Sequence, residues 1–472
     1  MIVFRYQQRT VYEALSRGVI PDAEELLWPG WMRKVDTLLE DEELIEIVHQ
    51  ALGRRHGGSQ TKGRRSTPSE VVLRLLVLKH LKNWSYQTTE QEVRANLVYR
   101  EFTRIGGEKV PDAKTMVRLG QTLGPKVIRR INKRVVKLAR REKIALGRKM
   151  RLDTTVVESN IHYPSDSSLL GDGVRVITRT IRKIEKEVGA VGTKFRNRMR
   201  SVNHRLMEIG RAVRGGGEER VERRRRIYCK LMATTRQAIH GAEVIVQEVA
   251  TGIKKAADWK RQLRVEAWAR QVQQVCVLTR QVLKQTKARV IQGDTHYPDK
   301  LLSIFEVETE AIRKGKLAKP TEFGKLVKIQ EAENQIITDF EVYPHRPADQ
   351  TLLIPAIEKH QEIFGRAPDL VAGDAGFYSL ENETKATEAG VKKVAVPNKQ
   401  TRSPARRAHQ RQRWFREGQR WRVGCEGRIS VLKRRHGLFR SRYKGAQGVE
   451  RWVGLGVIAD NLINMGRVLA VR

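Results

Sequence analysis

A carboxylate in the middle of a strand-like run constrains this chain more than any other feature. Met150-Arg151-Leu152-Asp153-Thr154-Thr155-Val156-Val157 is rich in β-branched residues, yet strand interiors disfavour Asp, and a charge shielded from water needs a metal ion or a base beside it. A second run, Asp369-Leu370-Val371-Ala372-Gly373-Asp374-Ala375-Gly376, sets Asp374 where a short apolar strand gives way to a glycine-flexed turn. Carboxyl ends of strands in open α/β sheets are where ligands collect. The third carboxylate is Glu426, within Arg422-Val423-Gly424-Cys425-Glu426-Gly427-Arg428-Ile429-Ser430-Val431-Leu432-Lys433. At about 100° per residue, Arg422, Glu426 and Lys433 project within roughly 40° of one another on a helix. Two Asp and one Glu in that order suggest a divalent metal site. The competing reading of Glu426 is a surface ion pair of little energetic weight, and Gly424 and Gly427 require tertiary packing to hold their helix.

Composition narrows the substrate. The 472 residues carry a net charge of +39 spread along the chain, which suits a polyanionic partner, and the 40% hydrophobic content is enough to build cores. Cys229, Cys276 and Cys425 form no CxxC pair, so neither a disulfide framework nor a zinc ribbon is supported, as in a reducing cytosol. Met1-Ile2-Val3-Phe4-Arg5 opens no apolar leader, and no uninterrupted apolar stretch approaches the roughly 18 residues of a membrane span. The expectation is a cytoplasmic protein with no membrane partner.

Residues 1–145 read as a helical domain. Thr67, Pro68 and Glu70 predict a capping box, followed by a helix through Val71, Leu75, Leu78 and Leu81. A turn at Asn83-Trp84-Ser85-Tyr86 leads to a second helix, capped by Thr88 or Thr89, that runs through Phe102 to a stop at Gly106-Gly107; a third opens at Pro111-Asp112. Such short helices in a basic protein fit a helix-turn-helix DNA reader or plain structural support. Arg54 to Arg65 reads as an exposed linker. Residues 146–165 carry the first strand and Asp153. Residues 166–290 read as an antiparallel helical insertion: apolar residues from Ile177 to Val213 recur at coiled-coil steps of about four and three. Gly215-Gly216-Gly217 breaks that series, and two more follow through Ile227 to Val249 and Val265 to Val282. Arg223 to Arg226 is either a solvated tip or a phosphate clamp.

Residues 291–472 change period from helix to sheet. Phe323–Gln330 and Gln335–Tyr343 predict a hairpin, 349–364 a helix, 370–374 a strand, 381–388 a helix and 391–396 a strand, before a basic linker and the Glu426 helix. Without the insertion this is the element order of a ribonuclease-H-like fold, in which Asp153 and Asp374 lie on neighbouring strands. The predicted fold class is therefore α/β: a ribonuclease-H-like mixed sheet with an all-helical coiled-coil insertion and a helical N-terminal DNA-binding domain. A final amphipathic helix, 452–469, covers the sheet.

Three carboxylates of this kind suit phosphodiester chemistry. Two Mg²⁺ ions, with Mn²⁺ as a substitute, generate a nucleophile and stabilise the leaving oxygen, and hard oxygen ligands hold them. Asp153 could bridge the ions with Asp374 and Glu426 completing one side each, while Arg422 and Lys433 orient phosphates. The run Lys399–Arg422 interleaves Arg413 and other cations with Trp414, Phe415 and Trp421, a pattern for tracking a phosphate backbone and stacking on bases. Arg428, Arg434 and Arg435 add to the expected DNA-binding set.

The blocks Asp153-Thr154-Thr155-Val156-Val157-Glu158-Ser159-Asn160, Gly373-Asp374-Ala375-Gly376-Phe377-Tyr378-Ser379 and Glu426-Gly427-Arg428-Ile429-Ser430-Val431-Leu432-Lys433-Arg434-Arg435-His436-Gly437, with Leu73 to Tyr86 near the amino terminus, resemble DDE transposases of bacterial insertion sequences, closest to the ISNCY group. In related enzymes the Glu helix carries a Tyr, Arg, Glu, Lys signature. Arg422, Glu426 and Lys433 match it, and Gln419 stands at the Tyr position. The resemblance implies a recombinase that binds double-stranded DNA at terminal inverted repeats, hydrolyses a strand at each end and directs the 3′ hydroxyl at target DNA. It further implies a homodimer or higher oligomer on DNA, near the bacterial nucleoid. The competing functions are a ribonuclease-H-like nuclease or resolvase that cuts without joining, and a non-catalytic DNA-binding protein.

Overall fold

Runs that alternate apolar and polar residues build a six-stranded mixed sheet around the first carboxylate. The computed structural model describes residues 1–5, 28–55, 65–212, 218–313 and 320–472, and they divide into two units, Met1–Asn160 with Ile312–Arg472, and Ile161–Ala311. In the first unit β1 (Lys149–Glu158) is central. Antiparallel to it lies β3 (Thr321–Glu331), which also pairs with β2 (Glu310–Arg313) and with β4 (Ile337–Val342) as the hairpin foreseen from sequence. On its other side β5 (Leu370–Ala372) is parallel to β1, and β6 (Lys393–Ala395) is parallel to β5. The result is a helix-rich α/β architecture with a mixed open sheet, compatible with a ribonuclease-H-like order. Leu353–Phe364 and Leu380–Glu388 form the two helices expected between these strands.

Among the described residues seven helices precede the sheet: α1 (Gly30–Leu38), α2 (Glu42–Gly53), α3 (Ser69–Leu81), α4 (Tyr86–Ala95), α5 (Leu97–Phe102), α6 (Ala113–Thr122) and α7 (Pro125–Arg141). Every residue of α3 is buried. Its expected capping box is absent: Glu70 instead takes the Nε of Arg5 at 3.0 Å and of Arg74 at 3.1 Å, because an arginine enclosed in the core needs a carboxylate more than a helix start needs a second cap. Ser85 caps α4, ahead of the expected Thr88 or Thr89, and Asn96 divides the predicted second helix by turning extended and capping α5. Asp112 caps α6 as expected, accepting from the Thr115 amide at 2.7 Å. The linker expectation for Arg54 to Arg65 falls largely on residues 56–64, outside the described residues.

Among the described residues one helix, Ala446–Val471, is long and apolar enough to cross a membrane, and 78% of its apolar window is buried inside the fold. It qualifies by length and mean hydropathy and not as an uninterrupted apolar stretch, since Asp460, Asn461 and Asn464 interrupt it. The helix reads as a core element, because its polar side chains find partners inside the protein. Asn461 accepts from the Ile337 amide at 2.7 Å and donates to the Ile337 carbonyl at 2.8 Å, so the helix pins the start of β4 as a neighbouring strand would.

Among the described residues the second unit contains four α-helices, Asp166–Val188, Met199–Ala212, Glu218–Ala250 and Trp259–Thr286, around one apolar core. The uninterrupted helix predicted from Ile177 to Val213 is broken, because Gly189 and Gly192 adopt φ of +77° and +69°, a left-handed region that other residues rarely enter. The glycine break at Gly215 to Gly217 lies outside the described residues.

Burial creates one titratable anomaly. Lys79 on α3 points its Nζ at the rings of Tyr86, Trp452 and Tyr443, 4.9, 4.9 and 5.2 Å from their centroids. Burial, with Arg442 nearby, pushes its pKa down to about 7, so desolvation outweighs the attraction of the ring faces for an ammonium. Between that value and the ordinary lysine range the unfolded chain binds the extra proton, so Lys79 penalises folding at low pH and the penalty fades as pH rises through this window. Lys79→Met is expected to raise the urea midpoint at pH 7 more than at pH 10; an equal shift at both would contradict this assignment.

Candidate functional site

The helix that carries Glu426 is placed by what its glycines leave out. Arg413–Arg435 is one continuous helix, preceded by Pro404–Arg411, so the basic segment predicted as a linker is helical over most of its length. Ser403 caps the first of these helices. A Cβ on Gly418 would lie 2.7 Å from the Cβ of Ala395 on β6, and one on Gly424 would collide with the guanidinium of Arg151 on β1. Both positions need glycine for the helix to approach the sheet closely. Arg151 occupies that space, ion-paired with buried Glu331 of β3, donating to the Trp421 carbonyl and lying 4.7 Å from the Trp421 ring centroid. Burial pushes the Glu331 pKa up, and the hydrogen bond and charge of Arg151 oppose it. Burial likewise raises the Cys425 thiol well above its ordinary value, which makes it a packing residue rather than a nucleophile.

This packing carries Arg422 to the first carboxylate. Its Nη1 lies 3.9 Å from Asp153 Oδ2 and its Nη2 lies 2.8 Å from Glu426 Oε1, so a single guanidinium spans the two acids. The Asp153 side chain is 15% exposed, half-enclosed rather than buried, and its Oδ1 accepts from the Thr154 amide at 2.7 Å. Glu426 is 55% exposed. Asp374 is reached through the sheet. The parallel pairing ends with Arg151 of β1 opposite Ala372 of β5, so Asp374 follows two residues beyond the strand that lies beside the one carrying Asp153. Asp374 leaves the sheet there and caps the turn Ala375–Phe377 by accepting from the Gly376 amide at 2.8 Å.

A fourth acid, Asp349, was not foreseen. Thr154 Oγ1 lies 3.4 Å from Asp349 Oδ1, and the Cβ position of Gly376 is 3.1 Å from Asp374 Oδ1 and 3.2 Å from Asp349 Oδ2. Asp349 thus stands between the residue after Asp153 and the turn after Asp374. In sequence it looks like an ordinary helix-opening Asp, and only the neighbouring strands reveal the company it keeps. All four acids offer hard oxygen donors, the set that suits Mg²⁺. Among the described residues, however, no three His, Cys, Asp or Glu side chains are drawn together into a metal-holding group. The guanidinium of Arg422 lies between two of the acids, Asp153 and Glu426.

The remaining expected residues divide by burial. Arg413 is exposed and bonded to Glu417 at 2.9 Å, Trp414 is partly covered, Lys433 is half-buried, and Arg434 and Arg435 face solvent. Arg428 is corrected: its Nη1 is enclosed against Asp460 Oδ1 and Oδ2, at 2.8 and 3.0 Å, so its charge serves the core and is turned away from any external phosphate. Glu158, at the end of β1, is buried against Arg440 at 3.1 Å. Gln419, at the position of the signature Tyr, donates to the carbonyls of Gly373 and Ala395.

Two family models match the chain, a Transposase domain (DUF772) over residues 29–121 and a Transposase DDE domain over residues 382–466. The first spans α1 to α6 nearly to its end. The second contains Gln419, Arg422, Glu426 and Lys433, and begins after Asp153 and Asp374. No curated protein and no solved structure matches.

Removing one member of the enclosed Arg428–Asp460 pair strands the other charge. Arg428→Ala is expected to cost about 3–5 kcal/mol of stability, measured by denaturant unfolding. At a temperature where the variant is folded, its affinity for duplex DNA should equal that of the unaltered chain; weaker binding there would return Arg428 to the DNA surface.

Proposed function

The chain belongs with the DDE transposases of insertion elements, and from that premise we propose that it binds the ends of its element and catalyses metal-dependent DNA strand cleavage and strand transfer. What supports this reading is the reach of Arg422 from Asp153 to Glu426, together with the pairing of β5, the strand that runs into Asp374, beside β1. Asp153, Asp374 and Glu426 would hold the divalent ions, two Mg²⁺ with Mn²⁺ as a substitute. Bound there, such ions supply Lewis-acid stabilisation of the phosphoryl and leaving oxygens.

The chain's own residues supply the rest. Arg422 neutralises Asp153 and Glu426 while no cation is bound, which relieves the repulsion between neighbouring carboxylates. Its Nε is shielded from water without a partner, an unmet donor that a rearrangement toward a phosphate oxygen would satisfy. Glu426 is exposed enough to turn away from Arg422 toward a neighbouring cation. Arg413, Trp414, Lys433, Arg434 and Arg435 would follow the backbone of the bound end. The sheet is then read as ribonuclease-H-like, the amino-terminal helices as the helix-turn-helix that recognises the terminal repeat, and the active species as a dimer or larger assembly, since two ends must be paired.

Asp153→Asn, Asp374→Asn and Glu426→Gln should each lower Mg²⁺-dependent cleavage of labelled element ends by ~100-fold or more while leaving DNA affinity intact. Cleavage that survives Asp153→Asn would remove the assignment. Cut ends that never join to plasmid would reduce the protein to a nuclease.

A further inference from the structure

We infer that the helical unit Ile161–Ala311 carries a phosphate-backbone site of its own: a basic pocket formed by the segment 193–198 and the middle of the helix Glu218–Ala250. The pocket has a volume of about 450 Å³, and its wall includes Lys194, Arg196, Arg198, Arg236 and His240, with no Asp or Glu in the lining. Among the described residues no carboxylate pairs with any of the four Lys and Arg side chains, whereas elsewhere in the same unit Arg205 is held by Glu208, Arg280 by Glu243 and Arg289 by Asp166. Cations gathered in a concavity without counter-charge repel one another and raise a positive potential that only an incoming anion relieves.

The segment is held in shape by acids that do not reach the pocket. Glu185 accepts from the Phe195 amide at 3.0 Å, and Glu248 accepts from the Thr193 amide with both oxygens, at 2.9 and 3.1 Å. Lys254 lies 3.5 Å from Glu248 and donates to the Val191 carbonyl. Phe195 is buried, its ring 3.7 Å from where a Cβ on Gly241 would be. Phe195 turns inward while Lys194 and Arg196 on either side of it are exposed, with Arg198 two residues on. Three cations within five residues, two of them planar guanidiniums able to bind bidentately, match a run of backbone phosphates better than one isolated anion. The inference rests on the proposed function only in taking DNA as the polyanion.

The test uses the full chain, with affinity for a labelled duplex of arbitrary sequence measured by fluorescence anisotropy across a salt series. The triple variant Arg196→Ala, Arg198→Ala, Arg236→Ala should flatten the dependence of log K on log salt by about 2–3, since each phosphate contact contributes about 0.9, a loss on the order of 100-fold at ~0.1 M salt. The triple Arg→Lys variant should keep the slope. An unchanged slope in a folded Ala variant, with a normal thermal melt, overturns the site. If the Ala variant does not fold, Arg236→Glu alone decides: it should weaken binding, and unaltered binding overturns the site. Inorganic phosphate that raises the melting temperature of the unaltered chain, while DNA affinity ignores the substitutions, overturns the nucleic-acid assignment in favour of a small anion. Cleavage of element ends by the unaltered chain, with its DNA slope indifferent to the pocket, removes this site alone; a pocket-dependent slope in a chain that never cuts supports the site and removes the transposase reading instead.

Discussion

The guanidinium of Arg151 fixes the relation between sheet and helix on which the carboxylate arrangement depends. It sits in the space that Gly424 leaves empty, pairs with Glu331 across β1 and β3, and binds the backbone and ring of Trp421. A charge so enclosed is costly unless it is paired, and here the partners are Glu331 on β3 and the carbonyl and ring of Trp421 on the helix. The helix is therefore held at one height and one rotation over β1. Arg422, the next residue after Trp421, then falls beside Asp153, and Glu426 follows one turn later. A larger residue at position 424 would expel Arg151 and lift the helix off the sheet, so a glycine that weakens the helix in isolation is what makes its placement possible.

Much of this was legible in the chain and some of it was not, for physical reasons that can be named. The hairpin of β3 and β4 declared itself by its change of period from helix to sheet, and the strand before Asp374 by a short apolar run ending at a glycine turn. Asp153 and Asp374 stood out because carboxylates interrupt otherwise apolar runs. Arg428 was misread because an arginine in a basic helix looks like any other until its partner is known, and Asp460 lies 32 residues away on another helix. Asp349 was missed because a helix-opening Asp has a sufficient local explanation. The segment 404–435 looked like linker followed by helix because its charge and glycines lower helix propensity; the packing of Phe415, Gly418, Cys425 and Leu432 against the fold overrides that. Gly189 and Gly192 carried the opposite error: an apolar period ran through them, and the period concealed the turn.

The two transposase matches meet inside one packed unit. α3, from the amino-terminal match, and the helix Ala446–Val471, most of it in the DDE match, share a core. His80 donates or accepts at the Tyr443 hydroxyl at 3.3 Å, Tyr86 bonds the same hydroxyl at 2.7 Å, and the rings of Tyr86 and Tyr443 stack. Arg129 of α7 binds Glu450 and the Phe340 carbonyl of β4. These contacts are polar and specific, and they leave the amino-terminal helices little freedom to move as a separate module. Whatever those helices bind is thereby fixed in orientation with respect to the strands that carry Asp153.

Gln419 shows how the same fixing can alter a familiar signature. A tyrosine has one hydroxyl donor, whereas a glutamine amide has two. Gln419 uses its amide nitrogen to reach both the Gly373 carbonyl, one residue before Asp374, and the Ala395 carbonyl at the end of β6. The helix is thus tied to the turn that positions the second carboxylate, in addition to its tie through Arg151 to the strand that positions the first. A phenol at this position could not make both bonds, and its ring would have to displace the strand ends or point elsewhere. The departure from the Tyr signature therefore comes with a brace inside the protein, between this helix and the ends of two strands.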